Sequence, residues 1–158
     1  MLQKNFTFKK TNSMATVNTY LTFNGNCEAA FKFYQSIFGG ELKDLNRFGN
    51  MPPQKGTPEL PEEAKAKIMH LNLPISAETI LYGSDALTGF DPPIVMGNNF
   101  SISIGATSRA EADALFTKLA ALGKVTMPLA DTFWGAYFGM WTDQFGVNWM
   151  VNYDKPKE

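Results

Sequence analysis

The stretch Asp131–Tyr153, DTFWGAYFGMWTDQFGVNWMVNY, holds every tryptophan of the chain, Trp134, Trp141 and Trp149, set among Gly135, Gly139 and Gly146. Its aromatic and β-branched runs, AYFGMWT and NWMVNY, flank the turn signal DQFG, which predicts two strands joined as a hairpin. Side chains alternate along a strand, so Tyr137, Trp141 and Asp143 share one face while Ala136, Phe138 and Met140 share the other. In the second strand Trp149 and Val151 oppose Met150 and Asn152. Both faces are apolar enough to need cover. At least one indole is expected to pack against a helix, and Trp134 stands in the glycine-flanked entry to the first strand.

Working outward, KVTMPL reads as a strand, and before it Ser108 and Glu111 form the S-x-x-E signature of a helix start. Ala112, Leu115, Phe116, Leu119 and Leu122 line one face of that helix, and Gly123 stops it. NNFSISIGAT precedes it as a further strand. The same order occurs upstream: the strand TVNTYLTF, the helix CEAAFKFYQSIF with Asn26 as expected N-cap and Gly39-Gly40 at its end, then the strands ELKDLNRF, AKIMHLNLPI and ETILYGSD. Ala30, Tyr34, Ile37 and Phe38 form the apolar stripe of the first helix. GNMPPQKGTPELPEE, rich in proline, reads as an exposed loop. The chain is therefore β-α-β-β-β twice, an α+β organisation. Residues 1–15 read as a flexible leader, in which Met14 is an alternative start. Residues 16–88 form a first module, 89–97 a linker, and 98–154 a second module, all in one compact unit.

Composition excludes several classes. A net charge of −1 over 158 residues provides no basic surface to track phosphates, so nucleic acid is not an expected partner. No apolar run reaches membrane-helix length, so no membrane partner is expected either. Cys27 is the one cysteine and forms no internal disulfide, which favours a reducing, cytoplasmic setting.

Taken in order, YLTFNGNCEAAFKFYQSIFGGEL, IMHLNL, LYGSD and LAALGKVTMPLADTFWGAYFGMWTDQFGVNWMVN resemble the vicinal oxygen chelate superfamily of glyoxalases, bleomycin and fosfomycin resistance proteins and dioxygenases, in particular its PhnB-like branch. The resemblance runs from about Thr16 to Tyr153. It implies two paired βαβββ modules whose curved sheets enclose a cavity, a small-molecule ligand and a homodimer. Metal-dependent members bind a divalent ion through His, Glu or Gln on strands of both modules. The matching positions here are Thr19 or Tyr20, Tyr82, Phe100 or Ser101, and Met150, a set without a good ligand for a hard cation. No metal is expected at that place. Proteins of this branch are sometimes labelled as 3-demethylubiquinone-9 3-methyltransferases, but no glycine-rich strand-to-helix turn is present to seat S-adenosylmethionine, and no cofactor is expected.

His70, the single histidine, is the candidate acid–base residue, because imidazole titrates near neutrality. It alternates onto the face of Ile68 and Asn72. Tyr82 is the candidate cavity-lining residue. Asp85, on the opposite face from Tyr82, suits orienting His70, accepting a ligand proton, or making a turn with nearby N–H groups. Arg47 suits an anionic ligand or a solvated strand edge, and Cys27 at a helix start suits either a lowered thiol pKa or simple packing. With Trp134 and Met150 these residues make the expected ligand-binding set. Two functions follow: a metal-free small-molecule binding protein, or a glyoxalase- or dioxygenase-type enzyme that uses a displaced metal site or His70.

Overall fold

The computed structural model describes residues 15–52, 56 and 59–155; the expected leader falls almost wholly outside them, as do parts of the proline-rich loop. In chain order the elements are β1 (Thr19–Phe23), α1 (Cys27–Phe38), β2 (Lys43–Arg47), a 3-10 turn at Phe48–Asn50, α2 (Glu62–Ala66), β3 (Ile68–Pro74) and β4 (Ile80–Asp85). The second half supplies β5 (Ile102–Gly105), α3 (Arg109–Leu119), β6 (Lys124–Asp131), β7 (Ala136–Thr142) and β8 (Asn148–Asp154). Two four-stranded mixed sheets result, ordered β1-β4-β3-β2 and β5-β8-β7-β6. In each, the first strand runs parallel to the last and the remaining pairs are antiparallel. The short helix α2 lies where the sequence suggested only loop; Pro61 precedes it with extended backbone, and Glu62 and Glu63 occupy its first turn.

Each module seats its long helix on a strand glycine. A Cβ at Gly83 of β4 would collide with the Phe31 ring of α1, and one at Gly139 of β7 would come within 2.9 Å of the Phe116 ring of α3. In both places glycine permits close approach of helix to sheet. The buried stripe of α1 is Cys27, Ala30, Phe31 and Tyr34, with Ile37 and Phe38 packed against its edge. In α3 only Ala112 and Leu119 are fully buried, while Leu115 and Phe116 pack partly. Leu122, expected on that face, is instead 87% exposed, because the helix ends at Leu119 and Leu122 takes a left-handed φ of 61°.

Helix caps differ from expectation in one case. Ser108 accepts from Glu111 N at 3.1 Å as the capping signature requires, while the Glu111 carboxylate turns to Thr107 N and Oγ1. Asn26, however, makes no side-chain cap bond. The N–H of Cys27 is taken from across the fold by Asp85 Oδ1 at 2.9 Å, and Asp85 Oδ2 accepts from Ile68 N at 2.9 Å.

The two modules share one core. Leu71, Leu73 and Leu81 of the first sheet and Trp141, Trp149 and Val151 of the second belong to the same buried cluster, with α1 against α3 among them. Both tryptophans of the hairpin meet helices: Trp141 is edge-on to Phe116 at 5.1 Å between centroids, and Trp149 meets Tyr34 at 5.5 Å and Phe38 at 5.9 Å. Asp143, 4% exposed, accepts from Tyr34 Oη (2.7 Å), Trp149 Nε1 (2.9 Å), Phe145 N (2.8 Å) and Val147 N (3.0 Å). The helix-bearing faces of both sheets thus turn inward, and their opposite faces open outward. Within one chain the sheets do not close into a barrel, so the cavity implied by the family resemblance is not enclosed by this chain alone.

Burial, and then the neighbouring Asp143 carboxylate, push the Tyr34 hydroxyl well above its ordinary value. In the unfolded chain Tyr34 ionises near pH 10, but in the folded chain it stays protonated. Above about pH 10 the unfolded state therefore binds fewer protons than the folded one, and stability falls as pH rises. Melting temperatures between pH 9 and 11 should drop less steeply in Tyr34→Phe than in wild type; equal slopes would show that Tyr34 does not carry the alkaline dependence.

Candidate functional site

The outward face of the first sheet carries a group of polar aromatic side chains. Tyr20 of β1 pairs with Tyr82 of β4, and Tyr82 pairs with Asn72 of β3, two residues from His70 on the same face. The rings of Tyr20 and Tyr82 are parallel at 6.4 Å, and His70 lies 6.0 Å from the first and 5.7 Å from the second. Among the described residues no hydrogen-bond partner is found for the imidazole of His70 or for the hydroxyls of Tyr20 and Tyr82. Tyr20 is 52% exposed, whereas Asn72, across Tyr82 on β3, is 6% exposed.

A bulge in β2 brings a carboxylate to this face. Lys43 faces Asn72 and Asn46 faces His70, so β2 spends one extra residue there; Asp44 takes φ 51°, and its Oδ2 accepts from Asn72 Nδ2 at 2.6 Å. A non-glycine residue in the left-handed region of a bulge is uncommon, and such features cluster at functional sites. Nothing in the period of the sequence signalled Asp44. Asn72 was legible only as a neighbour of His70 by alternation.

The outward face of the second sheet carries an apolar group, edged by Ser103, Thr142, Asn148 and Asn152. Met150 of β8 lies between Met140 of β7 and Ser103 of β5, and Met140 faces Met127 of β6. Trp134 sits at the tip of the β6–β7 hairpin, 54% exposed, edge-on to Phe133 at 4.8 Å and 6.0 Å from Phe138 of the same outward face. The tip is closed by Thr132, whose Oγ1 donates to Ala136 O at 2.8 Å and accepts from Ala136 N at 3.1 Å.

The expected set therefore divides. His70 and Tyr82 come together; Met150 and Trp134 lie on the other sheet; Asp85 and Arg47 lie elsewhere. Asp85 is 4% exposed, with an oxygen on each of two backbone N–H groups, so it neither orients His70 nor faces Tyr82. Arg47 donates to Ala66 O at 2.6 Å and to Glu28 at 2.7 Å, and with Glu28, Lys67 and Asp85 it lines a polar pocket of about 340 Å3 beside the start of α1. Lys32 and Arg47 hold the Glu28 carboxyl below its usual range. Cys27 is fully buried; burial, then the Asp85 and Glu28 carboxylates, push its thiol up, so the packing reading stands and the lowered pKa does not.

The strand register also corrects one metal-equivalent position. The residue across from Met150 in β5 is Ser103, while Phe100 and Ser101 precede that strand. Two phenols, an alcohol and a thioether at Tyr20, Tyr82, Ser103 and Met150 do not fit a hard divalent cation, which takes carboxylate, imidazole or carbonyl donors. Among the described residues no group of three or more His, Cys, Asp or Glu is placed to hold an ion, and no helix is long and apolar enough to cross a membrane.

Comparison with known proteins agrees with this architecture. The chain is 33% identical over 141 residues to protein YjdN of Escherichia coli (strain K12), covering 86% of this chain and 93% of that protein. It is similar to the crystal structure of protein PA1353 from Pseudomonas aeruginosa, with a TM-score of 0.77 and 41% identity over 90% of this chain and 100% of the other. A protein from Bacillus cereus described as a putative 3-demethylubiquinone-9 3-methyltransferase, PhnB protein, shares the fold with a TM-score of 0.69 and 24% identity, over 88% of this chain and 99% of that one. Residues 16–151 match the family described as the Glyoxalase/Bleomycin resistance protein/Dioxygenase superfamily. The paired modules, the register and these likenesses together place the chain in that superfamily, to which it belongs.

Proposed function

We propose that the protein is a metal-free small-molecule binding protein, cytoplasmic and homodimeric, whose ligand lies over Tyr20, His70 and Tyr82. The carrying observation is that group of rings, packed 5.7–6.4 Å apart on an outward sheet face with polar ends free of partners among the described residues. Pockets that bind small molecules combine aromatic walls with a few polar anchors, and His70, Asn72 and the two hydroxyls supply them. The apolar face of Met140, Met150, Phe138 and Trp134 supplies a complementary wall. Because both faces point away from the core of their own chain, the wall that covers His70 comes from a second copy. The edge strands β1 and β5, each hydrogen-bonded on one side only, support such pairing. The second reading is a glyoxalase- or dioxygenase-type enzyme that uses a displaced metal site or His70 as acid–base; an imidazole beside two phenols favours it, since among the described residues nothing occupies the ring nitrogens.

Protein purified without a polyhistidine tag decides between metal-dependent and metal-free chemistry. We expect less than about a tenth of an equivalent of Mn, Fe, Ni or Zn per chain, and stoichiometric metal would overturn the reading. In the same preparation His70→Ala should keep the wild-type melting temperature and weaken the best hit of a metabolite screen at least tenfold. A buried, structurally bonded histidine would instead cost about 1–3 kcal/mol of stability and leave affinity alone.

Sedimentation equilibrium at tens of micromolar should give twice the 17.5 kDa chain mass. A single species at the chain mass would remove the second wall.

Trp134 reports on the same contact. Trp141 and Trp149 are 1% and 0% exposed, so ligand-dependent emission comes mainly from Trp134. Trp134→Phe should change stability little and abolish most of the fluorescence response; a response that persists in full would place Trp134 away from the ligand.

A further inference from the structure

A second cavity, of about 330 Å3, lies where the linker runs past β1 and the turn before β8. Its floor is Leu21 and Phe23 of β1 with Val147 from the turn before β8, and its roof is Ile94 and Met96 of the linker with Phe100. The roof is fastened at both ends. Asn148 Nδ2 donates to Gly97 O at 2.9 Å and Phe100 O at 3.2 Å, while Asp91 Oδ2 accepts from Leu87 N at 2.7 Å. Between these points Val95 is 88% and Met96 58% exposed, so the linker holds apolar side chains in water over an apolar hollow.

We propose that this cavity is a second binding site, for a small, neutral, ring-sized apolar molecule with at most one hydrogen-bonding end. No charged side chain lines it, so an ion would lose its hydration without gaining a partner. Both Nδ2 hydrogens of Asn148 are engaged and its Oδ1 already accepts from Thr142 Oγ1 at 2.8 Å, so Thr22 and Asn99 are the side chains left to meet one polar end. The volume is at the low end of the roughly 300–1,000 Å3 of small-molecule sites and above the ~150 Å3 cavity that accepts benzene, which suits one or two fused or linked rings. Met96, an adaptable thioether packed against Gly146, can follow the outline of such a guest. A bound molecule would also cover the apolar underside of the linker. This site is independent of His70 and of the ligand proposed for the outward face.

The probe is N-phenyl-1-naphthylamine, a neutral dye that fluoresces on leaving water, titrated into the full chain at a fixed oligomeric state. We expect saturable binding of one dye per chain. Ile94→Trp, which fills the cavity from its roof, should weaken it at least tenfold. Val95→Asp, at a surface position where folding is not at risk, should do the same by placing a charge at the mouth. His70→Ala and Met150→Ala should keep the affinity within twofold. Absence of saturable binding, or unchanged affinity in both linker variants, overturns the proposal. Loss of binding in the His70 or Met150 variant also overturns it, by placing the dye on the outward face, where it would support the other site instead.

Discussion

The Asp143 carboxylate joins the two halves of the protein. It is almost wholly buried and takes four hydrogen bonds: two from backbone N–H groups of its own turn, one from the Trp149 indole and one from the Tyr34 hydroxyl of α1. A carboxylate removed from water is costly unless its lone pairs are met, and here each oxygen is met twice. The contact with Tyr34 spans 109 positions of sequence and fixes how the first helix lies on the second sheet. Because that bond requires α1 to face the core side of the second sheet, the helices of both modules end between the sheets.

From this inward arrangement follows the rest of the surface. Leu71, Leu73 and Leu81 on one sheet and Trp141, Trp149 and Val151 on the other are committed to the common core, so Tyr20, His70 and Tyr82, and likewise Met140 and Met150, have nowhere to face but outward. Asp85 belongs with the core-side residues. It ends β4 beneath α1 and supplies the cap that Asn26 does not, binding the start of α1 to the start of β3. Both oxygens of its carboxylate are thus turned to backbone N–H groups on the core side, away from the outward face that carries His70.

Much of the core was legible because it rests on period. Alternation in AYFGMWT and NWMVNY assigned Trp141 and Trp149 to one side, and the spacing in CEAAFKFYQSIF placed Ala30 and Tyr34 on the buried stripe of α1. Features that depend on one long-range bond were not legible. Asn26 has the side chain of a cap and lost the role to Asp85, 58 residues away from Cys27; Leu122 fits the helical period and lies past the end of the helix. The site was half legible: alternation set His70 on the face of Asn72 and Tyr82 opposite Asp85 but not which face turns outward, Asp44 reaches Asn72 through a bulge that breaks that alternation, and Ser103 rather than Phe100 or Ser101 is opposite Met150 only because of where β5 begins.

The division between inward and outward residues also explains why membership of the superfamily leaves the chemistry open. Asp143 and Tyr34, which tie the modules together, and Asp85 and the glycines under Phe31 and Phe116, which seat each long helix on its own sheet, lie on the core side. None of them is among Tyr20, Tyr82, Ser103 and Met150 on the outward faces. Exchanging an outward imidazole or carboxylate for methionine or tyrosine therefore removes no bond on which the fold depends. The same scaffold can lose a metal site, or line that face with aromatic rings, without a compensating change in its core, and its sequence will still match the family. What the outward face does is set by a handful of side chains under little structural constraint, so the chemistry has to be argued from the rings around His70 rather than from the fold that holds them.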